Sequence, residues 1–181
     1  VSFRGQHHLI FTDQSLWRID LADGDEFNWR VYDTYAKRGT TCWRAITHTP
    51  YGIVYPNDQG VWLYDGNRPQ SLTRGKWQKQ FLRHWATKTG HDVTYGGFNA
   101  GMDEVHLTLF SGDDPAGDYA DVWILDLTTM AWRKYRYMDM NGDYIRPQYM
   151  TWHGAEFLQS FDHGDFRKPT GALTDLGIPY P

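Results

Sequence analysis

Hydrophobic and polar positions alternate along most of this chain in short runs, and Gly, Pro, Asn and Asp interrupt them every few residues. That is the pattern of strands joined by tight turns. In residues 16–21 one alternating set is apolar (Trp17, Ile19, Leu21) and the other carries Arg18 and Asp20, so a strand with one less-covered face is expected. In residues 122–127 both sets are apolar apart from Asp126, which predicts a strand buried on both faces. One stretch has a different period. In "KWQKQFLRHW", Trp77, Phe81, Leu82 and Trp85 fall at i, i+4, i+5 and i+8, one face of an amphipathic helix over about 76–86.

The strand runs also repeat. An apolar residue followed by Trp-x-x-Asp occurs three times, as Trp17/Asp20, Trp62/Asp65 and Trp123/Asp126. The intervals are 45 and 61 residues, the spacing of four-stranded propeller blades stretched by insertions. A turn and an earlier strand precede each copy, and after two of them a second Trp opens another strand, Trp29 in "FNWRVYD" and Trp132 in "AWRKYRY". "EFLQSFDHGDFRKPTG" reads as a fourth, degenerate copy, with Phe166 43 residues after Trp123. The expected fold is therefore all-β, a single β-propeller-like domain or part of one. Its blades fall at approximately 1–33, 40–75, 91–137 and 143–171, four antiparallel strands each, with one short inserted helix. Trp is expected to fill the space between blades. Asp is expected to end the strand and accept N–H groups of the next turn.

Composition sharpens this picture. With 9 Trp, 12 Tyr, 9 Phe, 18 Gly and 8 Pro, and Glu only at 26, 104 and 156, the chain favours pleated surfaces and turns over helices. A net charge of −4 gives no general attraction to nucleic acid or to an anionic membrane, and sequence-specific nucleic-acid binding is not expected. No apolar run is long enough to span a bilayer. The lone Cys42 excludes an internal disulfide and reads as a small buried residue. The chain opens on Val1 rather than Met and enters a strand pattern at once, which reads as a segment of a longer polypeptide or a processed chain.

Two resemblances follow from these residues. The apolar–aromatic–Asp strand, turn and second Trp are similar to kelch-type blades, although a Gly doublet occurs only at Gly96-Gly97. "THTPYGIVYPNDQGVWLYDG", residues 47–66, resembles a segment of tailed-bacteriophage virion proteins in which a propeller belongs to the tail hub, nozzle or neck. The likeness continues through "PQSLTRGKW" and into "SFDHGDFRKPTG". It implies a non-enzymatic structural and interaction module of a virion assembled in the host cytoplasm, with other virion proteins and a homo-oligomeric ring as its partners.

Catalytic chemistry was sought against that reading. His7 and His8 are adjacent and would point to opposite strand faces; the other six His show no chelating spacing. "DMNGDY" begins like a calcium loop but has Tyr144 where Gly is needed; Asn141-Gly142 suits a hairpin turn. The loop "SGDDPAGDYAD" (Asp113, Asp114, Asp118, Asp121) reads as solvated. Strand-end acids such as Asp33, Asp92 and Glu104 could serve a propeller glycosidase, yet no paired-carboxylate motif accompanies them. No catalytic residue, metal site or cofactor is expected. The alternative function is a carbohydrate-binding propeller module, with Trp43, Trp85 and Trp152 as candidate stacking platforms because they lie outside the repeated positions.

Overall fold

The computed structural model describes residues 1–3, 7–20, 29–37, 39–87, 94–110, 120–135, 137–138, 144–145, 147–153, 156–161, 166–167, 174–175 and 178–179. They form a mostly β structure with one helix. The first sheet is β1 (Ser2–Phe3), β2 (His7–Phe11), β3 (Leu16–Asp20) and β4 (Arg30–Asp33). The second is β5 (Thr47–Thr49), β6 (Gly52–Asn57), β7 (Gly60–Tyr64) and β8 (Gln70–Ser71). Helix α1 (Lys76–Thr87) follows, and then a third sheet of β9 (Tyr95–Asn99), β10 (Glu104–Phe110), β11 (Ala120–Asp126) and β12 (Ala131–Tyr135). In all three the strands pair antiparallel with their chain neighbours.

Beyond these, β13 (Tyr137–Met138) pairs with β14 (Tyr144–Ile145), and β18 (Thr174–Asp175) with β19 (Ile178–Pro179). Between them β15 (Pro147–His153), β16 (Glu156–Phe161) and β17 (Phe166–Arg167) make a sheet of three strands, not the four expected. Asn141-Gly142 lies outside the described residues, although the strands flanking it do pair.

Sheet follows sheet because each strand run presents two usable faces. Leu9 and Leu16 of the first sheet bury against Ile53, Tyr55 and Tyr64 of the second. From the opposite face of the second sheet, Val54, Val61 and Leu63 meet Val105, Leu107, Trp123 and Leu125 of the third. The predicted apolar stripe of α1 closes this larger core: Phe81 and Trp85 are buried in it and Trp77 and Leu82 pack on its margin. Burial on both faces of β11 also holds, with Val122, Trp123, Ile124 and Leu125 all buried. Cys42 is buried as expected, but it precedes a 3₁₀ turn (Trp43–Ala45) instead of lying in a strand.

The leading strands of the last three sheets lie side by side, β5 next to β9 and β9 next to β15. Gly96 makes the first approach possible. A Cβ there would stand 2.5 Å from Thr47 Oγ1 and 2.7 Å from the Ala45 carbonyl oxygen. The carbonyl belongs to the backbone and cannot swing away, so Gly96→Ala must part the second and third sheets. The expected cost is about 1–3 kcal/mol, read as a lowered urea midpoint; an unchanged midpoint would show that the strands have room.

Candidate functional site

The three repeated Trp residues occupy the same place in successive sheets. Trp17, Trp62 and Trp123 each lie on the third strand, β3, β7 and β11. They also face the same way. Trp123 clusters with residues of the second sheet and α1, and Trp62 packs on the cluster shared with the first sheet. Each thus looks back at the preceding sheet. The apolar residue before each Trp (Leu16, Val61, Val122) is buried on the opposite face. Asp65 and Asp126 act as anticipated: Asp65 Oδ1 accepts the Asn67 N–H at 2.9 Å, and Asp126 Oδ1 accepts those of Thr128 and Thr129 at 2.8 and 2.9 Å. Asp20 pairs with Arg18 Nε at 2.8 Å and His7 Nδ1 at 2.6 Å, and the turn after it lies outside the described residues.

Burial separates the three. Trp123 is 2% exposed but Trp17 is 37% exposed, its indole N–H donating to Ser15 Oγ at 2.7 Å. The expectation that all three are largely buried fails at Trp17, which keeps more than a third of its surface exposed. The register puts Trp17 opposite Ile10, and Ile19 opposite Val31. Ile10 and Val31 are 46% and 61% exposed. The apolar set of β3 is therefore the less covered one, and Leu16 and Arg18 turn inward. The outcome is an open sheet face on which Ile10, Trp17, Ile19 and Val31 lie together with His8 and Asp33.

The remaining aromatic candidates scatter. Trp132 is buried on β12 and donates to the Leu72 carbonyl at 3.0 Å, whereas Trp29, just before β4, is 50% exposed. Trp85 is buried with its ring stacked on Phe81 at 5.6 Å, so it offers no open platform. Trp43 is 64% exposed, with the Arg44 guanidinium 4.6 Å from its ring centre. Trp152 lies on β15 and its side chain falls outside the described residues.

Two charged groups are buried that composition gave no reason to expect. Asp121 is not a loop acid: it opens the inward face of β11, fully buried, 2.9 Å from Lys134 Nζ and 3.6 Å from His84 Nε2. The other three acids of that segment, Asp113, Asp114 and Asp118, lie outside the described residues, as does Asp92. On the far face of the third sheet, buried Glu104 takes a hydrogen bond with His106 Nε2 at 3.2 Å and an ion pair from Arg133. The signal was present in "EVHLT", where polar residues alternate along a strand buried on both sides. No group of three or more His, Cys, Asp or Glu among the described residues could hold a metal ion. No helix among them is long and apolar enough to cross a membrane.

The Glu104 cluster sets a pH response. Burial pushes the His106 imidazole below its ordinary 6.5, outweighing the neighbouring carboxylate. Burial raises Glu104, but the bonds from His106 and Arg133 outweigh it and hold the carboxyl below its ordinary 4.5. As pH falls through 6.5, the unfolded chain takes up a proton at His106 that the folded chain refuses, so stability declines. Below 4.5 the contribution of the Glu104 carboxylate is lost as well, as pH falls through its lower folded value. Melting temperature is expected to fall from pH 7 to 5 and further below that, and His106→Gln should flatten the upper limb. A flat profile for the parent chain would contradict this.

A concave site lies between the segment after β4 and the second sheet. It has a volume of about 360 Å³ and is lined by Tyr35, Lys37, Tyr55, Gln59, Trp62 and Arg68 among others. A second cavity of about 300 Å³ shares Tyr35 and Arg68 and extends toward Arg18 and Tyr32. No protein-family model matches this chain, and no curated protein matches it in sequence.

Proposed function

We propose that the chain is a propeller-type structural module of a multi-subunit assembly, a virion component of the tailed-phage kind, whose first sheet docks on another copy of the chain. The open face of Ile10, Trp17, Ile19 and Val31 carries the reading. At the equivalent positions Trp62 and Trp123 pack against the preceding sheet of this same chain, so the surface complementary to Trp17 is the outer face of another such sheet. Identical subunits in a ring bury such faces by symmetry, and an uncovered one invites association. Three sheets of four antiparallel strands and a fourth of three, in chain order, support the propeller reading. The virion assignment rests on the resemblance at residues 47–66.

The assignment is tested in lysates of the cells that make the protein, by fractionating nuclease-resistant particles on a density gradient and probing with antibody. The chain is expected to band with particles. Recovery only as free protein in every fraction would overturn the virion reading.

A further inference from the structure

We infer that the cavity between the segment after β4 and the second sheet binds an acidic saccharide, a sugar ring with a carboxylate attached directly to it, such as a uronic or sialic acid. This is separate from assembly and does not rest on it. The volume of about 360 Å³ lies in the range of small-molecule pockets, roughly 300–1,000 Å³.

Its lining has the chemistry of a sugar site. Tyr35 and Trp62 supply ring faces, and the weakly positive C–H faces of a sugar ring lie favourably on the negative face of an aromatic ring. The rings are set in place beforehand. Tyr35 has φ +59°, a left-handed conformation unusual for Tyr, and is held there by its N–H donating to Asp33 Oδ1 at 2.7 Å. Its ring is turned to solvent, the residue being 75% exposed. Such backbone strain persists where surrounding contacts impose it, and it concentrates at ligand sites. The Trp62 indole N–H donates to Asn57 Oδ1 at 2.9 Å, which fixes that ring.

Tyr55 lines the cavity with 0% exposure, and its buried hydroxyl has no hydrogen-bond partner. An unsatisfied buried hydroxyl is costly, and this one is closed off even from a molecule the size of water, so Tyr55 gives the cavity part of its wall and no hydrogen bond.

Charge selects the acid. Among the described residues Lys37 and Arg68 line the cavity and no carboxylate does, Asp33 lying on the wall of the adjoining one, on a chain whose net charge is −4. The Arg68 guanidinium sits 5.8 Å from the centre of the Tyr35 ring, so the cation is on the stacking platform itself. A nucleotide separates its flat base from its phosphate charge. A uronic or sialic acid carries the carboxylate on the ring that stacks, and it fits this arrangement better.

The test is calorimetric titration of the whole chain with methyl glucuronide and sialyllactose, against methyl glucoside, lactose and AMP. Binding of the acidic sugars is expected, with the neutral ones markedly weaker. Arg68→Ala should weaken acidic-sugar binding about tenfold, the size of one charge-assisted hydrogen bond, and leave the melting temperature unchanged. Tyr35→Ala should do the same or more. Absence of acidic-sugar binding, equal affinity for neutral sugars, indifference to Arg68→Ala and Tyr35→Ala, or preference for AMP would each overturn the inference.

Discussion

Trp123→Ala is expected to destabilise the chain by about 3–5 kcal/mol, the cost of removing a large side chain from a packed core. Trp17→Ala, the same position two sheets earlier, should cost the isolated chain under about 1 kcal/mol. The difference is environment. Trp123 is 2% exposed and meets four rings edge-on: Trp77 and Phe81 at 5.8 Å, His84 at 6.0 Å and Trp132 at 6.2 Å. Its removal leaves a cavity that α1, the second sheet and β12 cannot all collapse into. Trp123→Phe should cost less than Ala, since it keeps a ring and deletes a buried indole N–H that has no acceptor. Urea denaturation reads all three, with the slope held constant as the check that only stability has changed. Similar losses at Trp17 and Trp123 would show that the first sheet's outer face is not open.

Lys134→Met is expected to cost about 2–4 kcal/mol near neutral pH. Asp121 is fully buried, with Lys134 Nζ at 2.9 Å and His84 Nε2 at 3.6 Å. Methionine keeps most of the stem and removes the charge, leaving a carboxylate inside the protein with weaker compensation. Breaking a wholly buried pair costs about 3–5 kcal/mol; here the loss is smaller because the Lys134 side chain is 42% exposed. Lys134→Arg retains the charge and should cost under about 1 kcal/mol. Equal losses for Met and Arg would mean that packing of the stem, not the charge, matters at this position.

Much of the fold was legible because it depends on local period. The 3.6-residue stripe of Trp77, Phe81, Leu82 and Trp85 located α1, and the doubly apolar run at 122–127 located a strand between two layers. The Trp-x-x-Asp element marked the third strand of each of the first three sheets, and the Asp caps at 65 and 126 followed from side-chain reach. What could not be read was which layer covers which face. Alternation puts Trp17 and Ile19 on one side of β3 and Arg18 and Asp20 on the other, and the ordinary expectation buries the apolar side. Here the Arg18–Asp20 pair turns inward, its guanidinium donating to the Gly66 carbonyl at 3.2 Å across the sheets, while the apolar side lies open.

The concave site was illegible for a similar reason. Tyr35 and Lys37 come from the stretch after β4, Tyr55 and Trp62 from β6 and β7, and Arg68 from the turn before β8. Only the path of the segment after β4 across the second sheet brings them together, and no spacing along the chain records it. The stacking candidates chosen for lying outside the repeat suffered from the opposite problem. Trp85 belongs to the helical stripe, and its place in that stripe buries it.

Sedimentation velocity over a wide concentration range tests the central claim most directly, comparing the parent chain with a variant carrying Ile10→Lys and Val31→Lys. Both substituted side chains are about half exposed or more, so the fold should survive and the open face should become charged. The parent is expected to form concentration-dependent oligomers, and the variant to remain a monomer with an unchanged melting temperature. A parent chain that sediments as a monomer at every concentration, indistinguishable from the variant, would contradict the account.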